Sequence, residues 1–167
     1  MSGCSDVRAL VLADTHVGPD LDRVPRAVWD AARGADVILH AGDVTGPELL
    51  AELARHAPTH AVLGNNDRGL DLPDRLELAL GGVAVAMVHD SGPTKGRPGR
   101  MARWFPEAEV VVYGHSHQPD DTPGVDGQLL FNPGSCTQRR RAPHRTYGWL
   151  ELDQGRLIRH ELVDLPS

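Results

Sequence analysis

Four times along this chain a short apolar run gives way, at or near a glycine or an acid, to a cluster of Asp, Asn or His. Residues 7–13 (VRALVLA) run into Asp14-Thr15-His16, and residues 37–40 (VILH) lead to Gly42-Asp43. Residues 60–63 (HAVL) reach Gly64-Asn65-Asn66-Asp67, and residues 110–113 (VVVY) reach Gly114-His115-Ser116-His117. Brief apolar stretches rich in Val and Leu are the pattern of strands buried on both faces. Between the first three lie segments of helical composition. One covers 22–33, with Pro25 tolerable only in its first turn and Gly34 as a stop. The other covers 47–56 (PELLAELARH), with a proline at its start. The order β-α-β-α-β predicts a parallel sheet with right-handed crossovers. Open α/β sheets place their sites at the C-terminal strand ends, and those ends carry the polar clusters here.

The second half changes character. Residues 75–80 and 83–89 flank Gly81-Gly82, a two-residue hairpin signal. A short helix is expected over 98–105, and further strands over 128–131, 146–152 and 156–162, the last two joined by Asp153-Gln154-Gly155. The strand-rich C-terminal half predicts a second sheet packed on the first, with helices outside both. No repeat, low-complexity tract or linker divides the 167 residues, so one domain spanning 1–167 is expected.

Charge and cysteine content narrow the function classes. The net charge is −6 with His neutral, Lys95 is the only lysine, and no extended basic stretch is present. A nucleic-acid-coating surface is therefore disfavoured. Only Cys4 and Cys136 could form a disulfide, too little to staple a fold of this size. Neither a signal-peptide pattern at the start nor an apolar run near the ~20 residues of a spanning helix is visible. A soluble, cytoplasmic protein is the expectation.

The polar clusters carry the chemistry. In extended backbone, residues i and i+2 point the same way, so Asp14 with His16, and His115 with His117, can each reach one cavity. Glycines before Asp43, Asn65 and His115 permit sharp turns and close approach to a bound ion or phosphate. His89, at the end of 83–89, adds a further imidazole. Three oxygen donors and four imidazoles suit Mn, Fe, Zn, Co or Ni better than Mg or Ca. Seven ligands exceed the three that a catalytic zinc keeps, whereas two ions sharing one carboxylate use them all.

The order D-x-H, G-D, G-N-x-D, H, G-H-x-H resembles that of the calcineurin-like metallophosphoesterases. It is similar in particular to the small single-domain phosphodiesterases related to the retromer subunit Vps29. The phrases LHAGD, VYGHSHQP and FNPGS add to the likeness, which spans residues 7–135. The resemblance implies a four-layer αββα sandwich, an α/β fold of two mixed sheets flanked by helices. It assigns Asp14, His16 and His117 to one divalent metal and Asn65, His89 and His115 to another, with Asp43 as the bridge. The implied cofactors are two divalent ions, Mn first, with Fe, Zn, Co, Ni or Mg as alternatives. The implied activity is phosphodiester hydrolysis by a hydroxide held between the ions, on a small phosphorylated or nucleotide-like substrate. A phosphomonoesterase on the same site and a Vps29-like protein-binding scaffold are the alternatives.

Two departures matter. Larger members place a His directly after the metal-binding Asn, where it can protonate the leaving oxygen; Asn66 occupies that catalytic position here and is a poor proton donor. This predicts good leaving groups, or a water as the acid. His89 is followed by Asp90-Ser91-Gly92, where many relatives have glycine at once. Arg68 is a candidate phosphate contact, and Arg139, Arg140 and Arg141 are candidates for steering an anionic substrate, against a plain solvated loop. His40 reads as a satisfied core residue beside the ligands. His56, His60 and His160 read as surface, and Cys136 as a packed thiol. Trp29, Trp104 and Trp149 read as packing residues, with Trp104-Phe105 a candidate homo-oligomer contact.

Overall fold

The computed structural model describes residues 6–166; Cys4 lies outside them. In chain order the first half contains β1 (Val7–Leu12), α1 (Arg26–Arg33), β2 (Val37–His40), α2 (Pro47–Ala54) and β3 (Thr59–Ala61). The second contains β4 (Arg75–Leu80), β5 (Val83–Val88), α3 (Arg97–Trp104), β6 (Val110–Val112), β7 (Asp120–Pro123), β8 (Leu129–Asn132), β9 (Thr146–Asp153) and β10 (Arg156–Asp164). Two five-stranded sheets result, ordered β10-β9-β1-β2-β3 and β4-β5-β6-β8-β7. In the first, β1, β2 and β3 are parallel, as the β-α-β-α-β reading requires.

Side-chain alternation along the strands builds the layers. Ala9 and Val11 of β1 join Val37 and Leu39 of β2 in one cluster, which meets Val85, Met87, Val110, Val112 and Phe131 of the second sheet. The intervening Leu10, Leu12 and Ile38 point the other way, onto Val28, Ala32, Leu49 and Leu53 of α1 and α2. Beyond the second sheet, Ala86, Val111 and Leu130 pack on Met101 of α3 and on Phe105. The layers run helix, sheet, sheet, helix, the expected αββα sandwich. Both faces of the central strands are dry, so their sequences show no polar alternation.

Three expectations are corrected. The hairpin β9–β10 joins the first sheet, with β9 antiparallel to β1, rather than the second. Strand β9 does so because its two faces serve two layers: Leu150 and Leu152 enter the inter-sheet core, while Tyr147 and Trp149 lie on the α1 side. The helix expected over 22–33 is broken into a 3-10 turn, Leu21–Arg23, and α1, with Val24 extended (φ −77°, ψ 124°) between them. Proline disfavours helical backbone in the residue before it, so Pro25 caps the helix instead of joining its first turn. Strand β7 was not expected; its sequence, DDTP, is polar and ends in proline, and it lies on a sheet edge paired only with β8.

Gly81 and Gly82 both have positive φ (56° and 81°), the conformation of a tight hairpin turn. Their turn meets the other hairpin, the Gly155 N–H donating to the Gly81 carbonyl at 2.8 Å. No helix among the described residues is long and apolar enough to cross a membrane.

The sheets meet closely where the Phe131 ring lies on Gly148. A Cβ at that glycine would sit 2.5 Å from Phe131 Cε1, and Phe131 is fully buried. Gly148→Ala should therefore cost about 1–3 kcal/mol through overpacking, seen as a lower urea midpoint with an unchanged slope.

Candidate metal centre

The polar clusters converge at one end of the sandwich because the strand-end loops are zipped together by backbone hydrogen bonds. The Asp14 N–H donates to the Gly42 carbonyl (2.9 Å), His16 N–H to Asp43 (3.1 Å) and Gly114 N–H to His89 (3.0 Å). Asp14, His16, His117 and Asp43 are buried or half-buried, His89 is buried, and Asn65 and His115 lie at the exposed rim.

Two groupings emerge, Asp14-His16-His117 and Asp14-Asp43-His89, the ligand atoms of each within 4.8 Å of one another. Asp43 Oδ2 stands 3.4 Å from His16 Nε2 and 3.4 Å from His89 Nε2, so one oxygen faces an imidazole of each grouping. Asp14 Oδ1 is 3.8 Å from both His89 and His117 Nε2. Asn65 Oδ1 lies 3.0 Å from His89 Nε2 and 3.3 Å from His115 Nδ1, which extends the second grouping to the rim.

The route to this convergence differs from the expected one. Asp14, His16, Asp43, His115 and His117 all have left-handed φ, between 47° and 77°, so the D-x-H and H-x-H pairs are not extended. His115 and His117 also part company. The His117 ring stacks on His16, and His115 meets His89 edge to face, each pair with centroids 5.2 Å apart. Left-handed backbone at non-glycine residues is costly and survives where surrounding structure enforces it.

Second contacts set the imidazoles for metal binding. His89 Nδ1 donates to the Ala41 carbonyl (2.8 Å) and His117 Nδ1 to the Gln138 carbonyl (2.7 Å). A carbonyl can only accept, so those protons sit on Nδ1 and each Nε2 turns inward. The Gln138 segment is itself anchored, since Ser135 Oγ donates to the Asp14 carbonyl (2.7 Å) and Thr137 Oγ1 to the Thr15 carbonyl (2.6 Å).

Burial pushes the Asp14 carboxyl up to about 7, aided by the Asp43 charge and opposed by His89 and the His115 N–H. Burial would also raise Asp43, but hydrogen bonding to His89 and to Asn66 holds it below the usual carboxylate range. Burial lowers His16 and His117, keeping them neutral. His89, penalised by burial, is still raised by Asp43, Asp14 and its Ala41 bond. His40, fully buried, is pushed down to about 3; it accepts from the Gly42 N–H and bonds Thr15 Oγ1 at 3.0 Å, so it is the satisfied core residue the sequence suggested.

The test of fit for a cation lies in the unsatisfied atoms. Asp14 Oδ1, His16 Nε2 and His117 Nε2 are buried and have no hydrogen-bond partner among the described residues. They are the three ligand atoms of the first grouping. Buried polar atoms without partners are costly, and a borderline divalent cation is what nitrogen and carboxylate lone pairs turned to one point would bind.

The match with known proteins agrees. The calcineurin-like phosphoesterase superfamily domain model matches residues 7–155. This chain belongs to that superfamily. A probable metallophosphoesterase of Methanothermobacter thermautotrophicus is 36% identical over 134 residues, covering 78% of this chain and 77% of that protein. Among solved structures, vacuolar protein sorting 29 of Cryptosporidium parvum superposes with a TM-score of 0.84 at 18% identity, over 97% and 93% of the two chains. A novel archaeal phosphodiesterase superposes with a TM-score of 0.74 at 20% identity, over 95% and 100%. The superfamily is metal-dependent, and the two groupings are where this member could hold metal.

Of the other residues singled out, Asn66 turns onto Asp43. Its backbone N–H donates to Oδ1 and its Nδ2 to Oδ2, both at 2.9 Å. Arg68 is exposed in the turn that follows Asp67, its backbone N–H donating to the Asn66 carbonyl. Sequence reasoning gave Asp67 no role, yet its buried carboxylate accepts from the N–H groups of Asp43 (2.9 Å), Thr45 (2.7 Å) and Gly64 (2.8 Å). The signal was present as the last letter of G-N-x-D. The glycine of that motif is equally constrained: a Cβ at Gly64 would stand 2.2 Å from Asp43 N.

Two outcomes are expected. Asp67→Ala keeps every candidate ligand side chain but frees the Asp43 and Asn65 loops, so Mn²⁺ affinity by calorimetry should fall about tenfold or more. Coordination requires Asp14 and His89 deprotonated, so affinity should rise from pH 6 to pH 8, by about tenfold per unit for each proton released. Titration in buffers of different ionisation enthalpy counts those protons.

Proposed function

We propose that this protein is a metal-dependent phosphodiesterase that uses two divalent ions, Mn²⁺ foremost, on a small phosphorylated or nucleotide-like substrate. The observation that carries the reading is the set of buried, unpartnered ligand atoms on Asp14, His16 and His117, with Asp43 Oδ2 turned equally to His16 and His89. Asp14, His16 and His117 would hold one ion, and Asn65, His89 and His115 the other, with Asp43 between. When bound, such ions acidify a water at neutral pH and offset charge on the phosphoryl oxygens.

The chain's own residues do the positioning. Asp43 is held ionised by His89 and Asn66, so it is ready to bridge without first losing a proton. His117 and His89 are fixed by carbonyls on Nδ1 and do not rotate to find a ligand. Ordering the ligands in advance removes reorganisation from the reaction itself.

Asn66 supports diesters over monoesters. Its amide is committed to Asp43 and has no titratable proton, so the leaving oxygen must depart as a weak base or take its proton from water. A purely protein-binding role is less well supported: it would leave Asp14 Oδ1 buried and unpaired at a cost, with no compensation.

The deciding assay loads the protein with Mn²⁺ and compares bis(p-nitrophenyl) phosphate with p-nitrophenyl phosphate. Metal-dependent turnover favouring the diester is expected, with Asp43→Ala reducing kcat/KM at least about a hundredfold, the scale of one lost electrostatic contact to the transition state. Monoester turnover exceeding the diester would replace the proposal by a phosphomonoesterase, and an unchanged rate in Asp43→Ala would refute catalysis at this centre.

A further inference from the structure

Beside the metal centre runs a cleft of about 840 Å³ lined by Ser116, Gln118, Arg140 and Arg141. Ser116 stands between His115 and His117 in sequence, so the cleft adjoins the ligands themselves. Its other wall is the loop after Gln138, the residue whose carbonyl fixes His117. That loop is closed by bonds of its own. Arg139 turns back to donate to the Ala142 carbonyl at 2.8 Å, and the Ala142 N–H closes a turn on Arg139 at 2.9 Å.

Arg139 is thus consumed by the loop, whereas Arg140 and Arg141 are not. Both are exposed, and among the described residues neither guanidinium has a hydrogen-bond or ion-pair partner. Arg140 adopts a left-handed backbone (φ 50°), a conformation that non-glycine residues rarely take. In a chain of net charge −6, two uncompensated guanidinium groups at the edge of the proposed active site form a local concentration of positive charge.

We propose that Arg140 and Arg141, with Ser116 and Gln118, form a subsite for a second anionic group of the substrate, so that diesters carrying an additional phosphate are selected. The chemistry matches: guanidinium forks bind phosphate with paired charge-assisted bonds, and a hydroxyl and an amide can complete the shell. A phosphodiester held at the metals carries one negative charge, so an additional phosphate on the substrate would give these cations a partner of their own. The inference rests on the phosphodiesterase reading above for its location, but its test separates the two.

The test uses two esters with the same reacting bond and leaving group, thymidine 5′-(p-nitrophenyl phosphate) with and without a 3′-phosphate. The Mn²⁺-loaded protein should prefer the 3′-phosphorylated ester by about tenfold in kcat/KM, chiefly through KM, with the preference shrinking as salt rises. In Arg140→Ala/Arg141→Ala that ratio should fall to about one, and Arg140→Lys/Arg141→Lys should restore part of it. Equal handling of both esters by the wild type, or an undiminished ratio in the double alanine variant, overturns the subsite. If neither ester is turned over, the phosphodiesterase reading fails, and calorimetry still decides the subsite. Thymidine 3′,5′-bisphosphate should bind about tenfold tighter than thymidine 5′-monophosphate, an advantage lost in the double alanine variant; equal affinities overturn it.

Discussion

A protein interior tolerates a carboxylate only when other groups satisfy its oxygens, and this site holds three, Asp14, Asp43 and Asp67, all buried. Each is treated differently. Asp67 is satisfied by three backbone N–H groups and fastens two loops together. Asp43 receives two bonds from Asn66 and faces His16 and His89. Asp14 receives one bond, from the His115 N–H, and keeps its other oxygen bare. The graded satisfaction separates scaffold from site: the carboxylate bonded by three backbone N–H groups builds the cavity, and the other two line it.

Keeping such a cavity open requires the backbone to accept strain, and the fold supplies the means. Strand-end loops from both sheets meet there, and hydrogen bonds between Asp14 and Gly42, His16 and Asp43, and Gly114 and His89 lock them in register. The left-handed φ values of five of the candidate ligands become tolerable because these bonds leave the backbone little choice. Residues beyond the ligands share the task. His40, neutral in its buried position, ties Thr15 to Gly42, while Ser135 and Thr137 hold the Asp14 and Thr15 carbonyls and Gln138 holds the His117 ring. Preorganisation of this kind is what metal-site affinity depends on, and it is distributed over residues that would never touch a substrate.

Much of this was legible in the chain. The parallel order of β1, β2 and β3 followed from helical segments alternating with short apolar runs, and the polar residues that cluster at one end of the sandwich are the ones that ended those runs. Strand β7 was hidden because an edge strand buries little and need not be apolar, so DDTP offers no pattern to find. The placement of β9 was hidden because a strand buried on both faces reads the same in either sheet, and β10, an exposed edge strand, simply follows it through the hairpin. Asp67 was visible as a letter but not as an anchor, since its partners Asp43 and Thr45 are more than 20 residues away.

Sequence alone determined the composition of the site: two histidine pairs, two aspartates and an asparagine placed at strand ends, because hydrophobic runs and the polar residues that terminate them are local properties. Only the tertiary structure decided how those residues divide. His115 and His117, two positions apart, go to different partners, and Asp43 comes to face both groups, because loop strain and backbone bonds between distant strands override the simple geometry of an extended chain. The same packing brought Arg140 and Arg141 beside Ser116 and Gln118, a neighbourhood created by the meeting of two sheets and written nowhere in the spacing of the motifs.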